Sequence, residues 1–444
     1  MNLRQRRIYY SSFIVLFLAL APVVLLYSLG YRYDWQMHSL YKIGSIKIDS
    51  QPDQADIYLN GQLVGESKHL ITNLRPDFYT VEVKKEGYFP WQKQIEVLPA
   101  QTAIFEDIVL YRNDQDPENI IEDILSYSVS HDKNNIIYQD TDNQLWHQKL
   151  TGDKRKITLP SKDTISNYYW SYQGNQVVIT QSSGQHYLVD ANHIDQISNL
   201  NPLINFQIND LRWDQLSDDY FYFSNNQKLY RFNVPTNKLE IISGTGDALL
   251  DYQGRDNLIY LLNNTELGVK LRAYSPDSKD GQEISHWPDS SAMYFQPMVN
   301  STDYLVIYDL DNQDTIIFSI NDNQVLATIN ASLKIDMATD ANHLLFLDDH
   351  ELWTWDQQSL QSNLVTRYSS LITDAIIYNG YPYALFVTKN RIKAIEFDQR
   401  TSITQDLAES DALDLFLHNK KDLYFFEKQP TKVTTYILKK LIIN

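Results

Sequence analysis

Three different periodicities follow one another along the chain. From Ile8 to Tyr31 the sequence reads IYYSSFIVLFLALAPVVLLYSLGY, without a charge. A core helix of a soluble domain would carry one apolar stripe; this run is apolar all round. At about 1.5 Å per residue it crosses a hydrocarbon core of roughly 30 Å, so it predicts a transmembrane helix over 8–31. Pro22 removes one backbone hydrogen bond, which membrane helices tolerate. No second run of about 20 apolar residues follows, so a single pass is expected.

Between residues 44 and 111 the pattern changes to strict alternation. The runs 45–50 (SIKIDS), 55–59 (ADIYL), 79–85 (YTVEVKK) and 91–97 (WQKQIEV) each put apolar side chains on one face. Asn60-Gly61 is a two-residue hairpin turn, because both residues accept positive φ. Period 2 with frequent turns predicts a small antiparallel β-sandwich.

From about residue 119 a longer unit recurs. Eight apolar pairs flanked by polar residues are spaced about 40 residues apart: Leu145-Trp146, Tyr187-Leu188, Leu229-Tyr230, Val269 to Leu271, Ile316-Ile317, Leu352-Trp353, Ile392 to Ala394 and Tyr436-Ile437. A β-rich run precedes each pair, as in Asn135-Ile136-Ile137-Tyr138 or Leu423-Tyr424-Phe425-Phe426. Units of this length, each with about four short strands, read as propeller blades, which bury their faces against neighbours when the ring closes. The last unit ends after its third strand, at 441–444, and Asn119-Ile120-Ile121 lies free ahead of the first. Eight blades closed by strand exchange between the two ends are therefore expected over 119–444. Seven, with one unit misread, is the alternative.

The fold class expected is thus all-β after one N-terminal transmembrane helix. The divisions are a cytoplasmic tail at 1–7, the membrane helix at 8–31, a linker at 32–43, the sandwich at 44–111 and the propeller at 119–444. The sandwich resembles the PEGA domain family. The resemblance rests on Gly44 to Ile48, Pro52 to Ala55, Asp56 to Gly61, Ile71 to Leu74, Tyr79 to Val83 and Glu86-Gly87-Tyr88. The chain has Pro52-Asp53-Gln54-Ala55 where the family carries its naming motif, and Pro76-Asp77-Phe78-Tyr79 where members usually have Pro-Gly before the tyrosine. Membership implies an extracytoplasmic module of bacterial surface proteins and no catalytic residue. The repeats are similar in architecture to WD40-like and TolB-like propellers, without a regular Gly-His…Trp-Asp signature.

Charge sets direction and narrows the partners. Arg4, Arg6 and Arg7 precede the apolar run, and only Arg32, partly offset by Asp34, follows closely. The positive-inside bias then leaves the N-terminus cytoplasmic and the remainder outside the cell membrane. A cleaved signal is the competing reading, since Ala19-Leu20-Ala21 resembles a cleavage site. Against it, Pro22 would follow the cut and the apolar run continues to Leu29. Residues 1–111 hold 11 basic and 11 acidic side chains, and 112–444 hold 27 and 45, so the whole net charge of −18 belongs to the repeats. A nucleic-acid partner needs a basic surface, so none is expected. With no cysteine, disulfides and thiolate metal sites are excluded.

No reaction is specified by motif. There is no G-x-S-x-G elbow, and Ser182-Ser183-Gly184 reads as a turn between strands. No P-loop or G-x-G-x-x-G occurs, and Gly244-Thr245-Gly246 reads as a turn between blades. His343 and His350 flank one strand without a metal-ligand spacing. The runs 140–143 (DTDN) and 309–314 (DLDNQD) resemble pieces of calcium loops, but lack the glycine and bidentate glutamate of an EF-hand. Asp and Asn there suit hairpin turns. No catalytic, cofactor or metal residue is therefore assigned. The expected function is a non-catalytic, membrane-anchored platform, with the bilayer bound through Ile8 to Tyr31 and an envelope protein or a glycan as partner. The alternatives are a carbohydrate- or peptidoglycan-binding surface protein, and a propeller enzyme with its site in the central channel.

Overall fold

The computed structural model describes residues 3–444 apart from 36, 207, 209, 226–227, 243–246, 256–257, 276–280, 297–302, 331–333, 338–342, 379, 399–401 and 430–434. The chain forms two compact units, Met1–Gln115 and Asp116–Ile443.

The first unit opens with the helix Leu3–Ser28. Its stretch Tyr9–Ser28 is apolar and long enough to cross a membrane, and none of it is covered by the rest of the chain. The helix stops three residues short of Tyr31. Leu29 N donates to Leu25 O at 3.0 Å and Gly30 N to Tyr27 O at 3.2 Å. Gly30 then turns left-handed at φ 84°, a conformation that a side chain would penalise, and this ends the helix. Tyr31 already belongs to a strand, Tyr31–Asp34, paired with Ser39–Lys42. The segment 32–43, expected to be a linker, therefore holds a β-hairpin.

The sandwich follows. One sheet runs in the order Gln62–Glu66, Asp56–Leu59, Asp77–Lys84, Trp91–Val97; the other runs His69–Leu74, Gly44–Gln51, Thr102–Val109. The alternation is seen directly, as every second residue of Trp91–Val97 is buried. Ile46, Ile48, Ile57, Val81, Val83, Trp91 and Ile95 fill the space between the sheets. Asn60 and Gly61 take φ 48° and 81° between the paired residues Leu59 and Gln62. One pairing departs from the antiparallel expectation: Thr102–Val109 runs parallel to Gly44–Gln51. It enters that sheet from the other one, through the turn at 98–101, and so arrives in the direction of the first strand.

The second unit is an eight-bladed propeller. Among the described residues it has six four-stranded sheets and one seven-stranded sheet. The six are blades 2 (165–199), 3 (211–242), 4 (248–287), 5 (293–330), 6 (334–367) and 7 (372–409). The seven-stranded sheet is two blades sharing the long strand Glu118–Val129. Its second half pairs with Asn135–Asp140 as the first strand of blade 1. Its first half pairs with Tyr436–Ile442, Glu118 opposite Lys440 and Ile121 opposite Leu438, as the outer strand of blade 8. The strand exchange expected from the sequence is the closure found. The eight apolar pairs all lie in third strands, and the runs before them in second strands.

The cores lie between blades rather than within them. Ile137, Val177 and Val189 join blades 1 and 2; Ile136, Phe416 and Phe426 join 1 and 8; Leu262, Phe295 and Ile307 join 4 and 5. A lone blade would leave both faces wet, so closure of the ring is what buries them.

Candidate functional site

The axial hub of a propeller is built from the first strand of each blade. Here first strands of successive blades touch across blades 1 to 5 and 6 to 8. Several carry a β-bulge, at Ile124/Ser126, Ile165/Asn167, Leu249/Asp251, Ile372/Asp374 and Leu413/Phe416. A bulge re-aims side chains out of the alternating pattern, and polar groups at or beside these bulges reach the next blade.

Such links join blade 7 to 8, 8 to 1, and blades 1 to 5 in succession. Asp374 Oδ2 of blade 7 accepts from Leu415 N of blade 8 at 2.6 Å. Asp414 Oδ2 of blade 8 accepts from Tyr127 Oη of blade 1 at 2.6 Å. Ser126 and Tyr168 hydroxyls bond at 2.9 Å between blades 1 and 2. Trp213 Nε1 of blade 3 donates to Tyr169 O of blade 2 at 2.9 Å. Arg212 of blade 3 grips Asp251 of blade 4, Nη1 to Oδ2 at 3.0 Å and Nη2 to Oδ1 at 2.9 Å. Asp251 Oδ2 also accepts from Phe295 N of blade 5 at 2.6 Å. Asp251 and Asp374 thus perform the same act three blades apart, each capping its own next amide and one on the following blade.

Burial governs the electrostatics. It pushes the Asp251 carboxyl above the ordinary range, against the opposing pull of Arg212 and two backbone donors. Burial lowers Arg212, but Asp251 and Asp210 outweigh it and leave the guanidinium more basic than usual. Burial, then the hydrogen bond to Asp414, raise the Tyr127 phenol far above its normal value, so it stays a donor. Burial raises Tyr168 to about 12.

Two recesses open beside this framework. One, of about 280 Å³, lies at the seam of blades 8 and 1 among Tyr127, Ser128, Lys133, Asp414 and Phe416. The other, of about 190 Å³, lies between blades 1 and 2. Its walls combine the amides of Gln139, Gln144 and Gln181 with the aliphatic side chains of Leu145, Ile157 and Ile165. Gln181 Nε2 is held by Ser161 O at 3.1 Å and Asp163 O at 3.3 Å, which fixes the amide in place.

The residues singled out from sequence lie elsewhere. His343 Nε2 sits 3.3 Å from Asp356 Oδ2 on the adjacent strand, while the His350 carbonyl accepts from Tyr368 N; the two histidines do not form one site. The 140–143 and 309–314 runs are hairpin turns. Asp140 accepts from Asp142 N, Gln144 N and Trp146 Nε1 at 2.7–3.0 Å. Asp309 is buried and accepts from Ser290 Oγ, Asp311 N and Asn312 Nδ2. Ser182-Ser183-Gly184 is the turn between two strands of blade 2. Gly244-Thr245-Gly246 lies outside the described residues. The hub residues Arg212, Asp251, Asp374 and Asp414 were missed by motif search. Their only trace is an Asp inside an otherwise apolar first strand, as in Leu249-Leu250-Asp251-Tyr252.

With this geometry in view, comparison places one unit. Residues 43–107 match the PEGA domain family. This stretch is a PEGA domain. Its mixed sandwich carries the motif positions quoted above, and PEGA domains are extracytoplasmic modules. No curated protein matches the chain. Among solved structures, a eukaryotic initiation factor is similar at TM-score 0.52 and 10% identity, over 73% of this chain and 87% of its own; that likeness is one of fold. Sqt1 of Saccharomyces cerevisiae is similar at TM-score 0.48 and 10% identity, over 73% of this chain and 98% of its own. PorZ, described as an essential bacterial surface component of the type-IX secretion system of Porphyromonas gingivalis, gives TM-score 0.42 at 11% identity, over 71% of this chain. The chain spans 43% of the length of PorZ.

Proposed function

We propose that this chain is a membrane-anchored extracytoplasmic protein whose propeller is a non-catalytic platform for another envelope macromolecule. The reading rests first on the helix: Tyr9–Ser28 is apolar and none of it is buried in the protein, and such a surface is stable only when lipid covers it. The PEGA domain next in the chain supports an envelope location. The observation that carries the binding role is the hub. Asp251, Asp374 and Asp414 are all directed at donors on neighbouring blades. These three carboxylates hold neighbouring blades together, which favours binding over catalysis.

Orientation and anchoring are tested by adding protease to intact cells carrying N- and C-terminal tags, together with the intact mass of the membrane-bound chain. Loss of the C-terminal tag alone, on an uncleaved chain, is expected. A mass beginning at Pro22 would replace the anchor with a signal. The platform role is tested by photo-crosslinking from single positions around the propeller in living cells. Discrete adducts from one face are expected, and their absence from every face would overturn the role.

A second reading has one observation in its favour. The recess between blades 1 and 2 sets the fixed Gln181 amide, with Gln139, Gln144 and the charged Asp142, Lys156, Lys162 and Asp163, beside an aliphatic floor, a surface suited to sugar hydroxyl and acetamido groups. Retention of purified envelope glycan, lost in a Gln139→Leu variant, would transfer the proposal to glycan binding.

A further inference from the structure

The hairpin between the helix and the PEGA domain carries side chains that the fold itself does not require. Trp35 is 80% exposed, Met37 71%, Leu40 55% and Tyr33 43%. Single exposed apolar residues are ordinary. Four within eight positions make a patch, and patches mark contact surfaces. The Tyr33 and Trp35 rings stand edge to face with centroids 4.9 Å apart, so the aromatic part is pre-shaped. We propose that this hairpin, Tyr31–Asp34 with Ser39–Lys42, seats in the lipid headgroup layer and fixes the attitude of the PEGA domain to the bilayer. The proposal rests on the reading of Tyr9–Ser28 as a retained span.

Position is the first argument. The hairpin begins three residues after the helix ends, and Ile43 N closes its base on Gly30 O at 3.0 Å. Strands of four residues reach about 13 Å from that base. The headgroup zone beyond the hydrocarbon is some 5–8 Å deep on each side. A hairpin hinged at the mouth of the span is within reach of that zone along much of its length. Tyr and Trp, each with an apolar body and a polar tip, are the side chains that such layers favour.

Charge is the second. The hairpin itself carries Arg32 and Lys42, and Arg75, just after the strand His69–Leu74, reaches its Asp34. Arg75 Nη2 meets Asp34 Oδ2 at 2.7 Å, so the remainder is cationic and suits anionic headgroups.

The third is mechanical. Arg32 Nη1 donates to Tyr27 O at 3.0 Å and to Tyr31 O at 2.9 Å, and its guanidinium lies 3.6 Å over the Tyr27 ring. A cation there complements the negative end of the helix dipole. Its Nη2 donates to Asn73 Oδ1 at 3.1 Å, on an edge strand of the PEGA domain. One guanidinium therefore fastens the helix end, the hairpin and the sandwich. Arg75 with Asp34 is a second tie between hairpin and domain. A hairpin held this way transmits its seating to the domain.

The absence of cysteine makes every introduced thiol unique. The full chain, spin-labelled at Leu16→Cys, Met37→Cys, Leu40→Cys or Phe78→Cys, is reconstituted in phosphatidylethanolamine–phosphatidylglycerol vesicles. Collision with oxygen and with a water-soluble nickel chelate reports depth. Oxygen should dominate deep at position 16, dominate more weakly at 37 and 40, and yield to nickel at 78, an exposed apolar control on the sandwich. Trp35→Glu with Met37→Glu should shift the label at 40 to the nickel-dominated state and leave position 16 deep. If 37 and 40 behave like 78 while 16 stays deep, the hairpin proposal falls and the anchor stands. Protection of 37 and 40 from both reagents would mean a protein partner, such as a second copy, and would also overturn it. Nickel dominance at 16 would remove the anchor and the proposal together.

Discussion

Tyr127 and Asp414, 287 residues apart, meet at 2.6 Å where blade 8 joins blade 1. The Tyr127 ring lies flat on Phe426 with centroids 3.5 Å apart and meets Tyr436 edge-on. Blade 8 also reaches blade 1 through His418 Nδ1 and Lys133 O, 3.3 Å apart. Closure is therefore more than the shared strand. Tyr127→Phe removes only the hydroxyl, and because Asp414 reaches water the loss should be about 1 kcal/mol. Tyr127→Ala also removes the stacking and should cost roughly 3 kcal/mol. Chemical denaturation of the two variants tests this, and equal losses would show that the ring contributes nothing.

Asp251 and Asp374 cap equivalent amides, and Asp251 also holds the Arg212 guanidinium. Removing one partner of a buried ion pair strands the other, typically at a cost of 3–5 kcal/mol. Asp251→Ala should therefore cost about 3–5 kcal/mol, and Asp374→Ala at least about 1–3 kcal/mol, the range for the backbone donors it leaves unpaired. Chemical denaturation of the two variants is the measurement, and a loss below about 1 kcal/mol in Asp251→Ala would refute the role given to its ion pair.

Gly254, on the first strand of blade 4, lies under the Tyr222 ring of blade 3. An added Cβ would come within 2.0 Å of Tyr222 Cε2. The ring is fully buried and its hydroxyl is held by Asp214 Oδ2 at 3.3 Å, so it has little room to move. Gly254→Ala should cost about 3 kcal/mol or more by overpacking. Tyr222→Ala in the same chain should recover part of that loss, as thermal melting would show.

Acid should weaken the propeller through buried histidines. Burial pushes His147 down to about 4, where its Nε2 bonds Asn135 Oδ1 at 3.0 Å, and burial likewise pushes His131 to about 4. Both rings are neutral in the fold and protonate near 6.5 when unfolded. The unfolded chain then binds more protons between pH 6.5 and about 4, so stability, complete above 6.5, falls as pH drops through that window. His147→Asn should flatten this part of the stability–pH curve, and an unchanged slope would remove His147 as a contributor.

Some of this was legible beforehand. The second strands were visible because a blade interior is apolar on both faces, leaving runs such as Tyr220-Phe221-Tyr222-Phe223. The shared strand was visible because the apolar run at 119–121 precedes the first unit and fits none of its four strands. The hub was not legible. An Asp in a first strand looks the same whether it faces water, a metal or an amide 41 residues away, as Asp374 does. The hairpin at 31–42 was hidden as well, since its four-residue strands are too short for an alternation to register.

Sequence by itself determined the apolar helix, the alternating PEGA domain and a repeat of about 40 residues, because hydrophobic period is a local property that neighbouring residues express together. Tertiary structure alone decided the parallel strand Thr102–Val109, the Arg32 tie and the hydrogen bonds that link blade to blade. Those depend on which polar atoms closure brings within about 3 Å of one another, a relation between distant segments that no local pattern encodes.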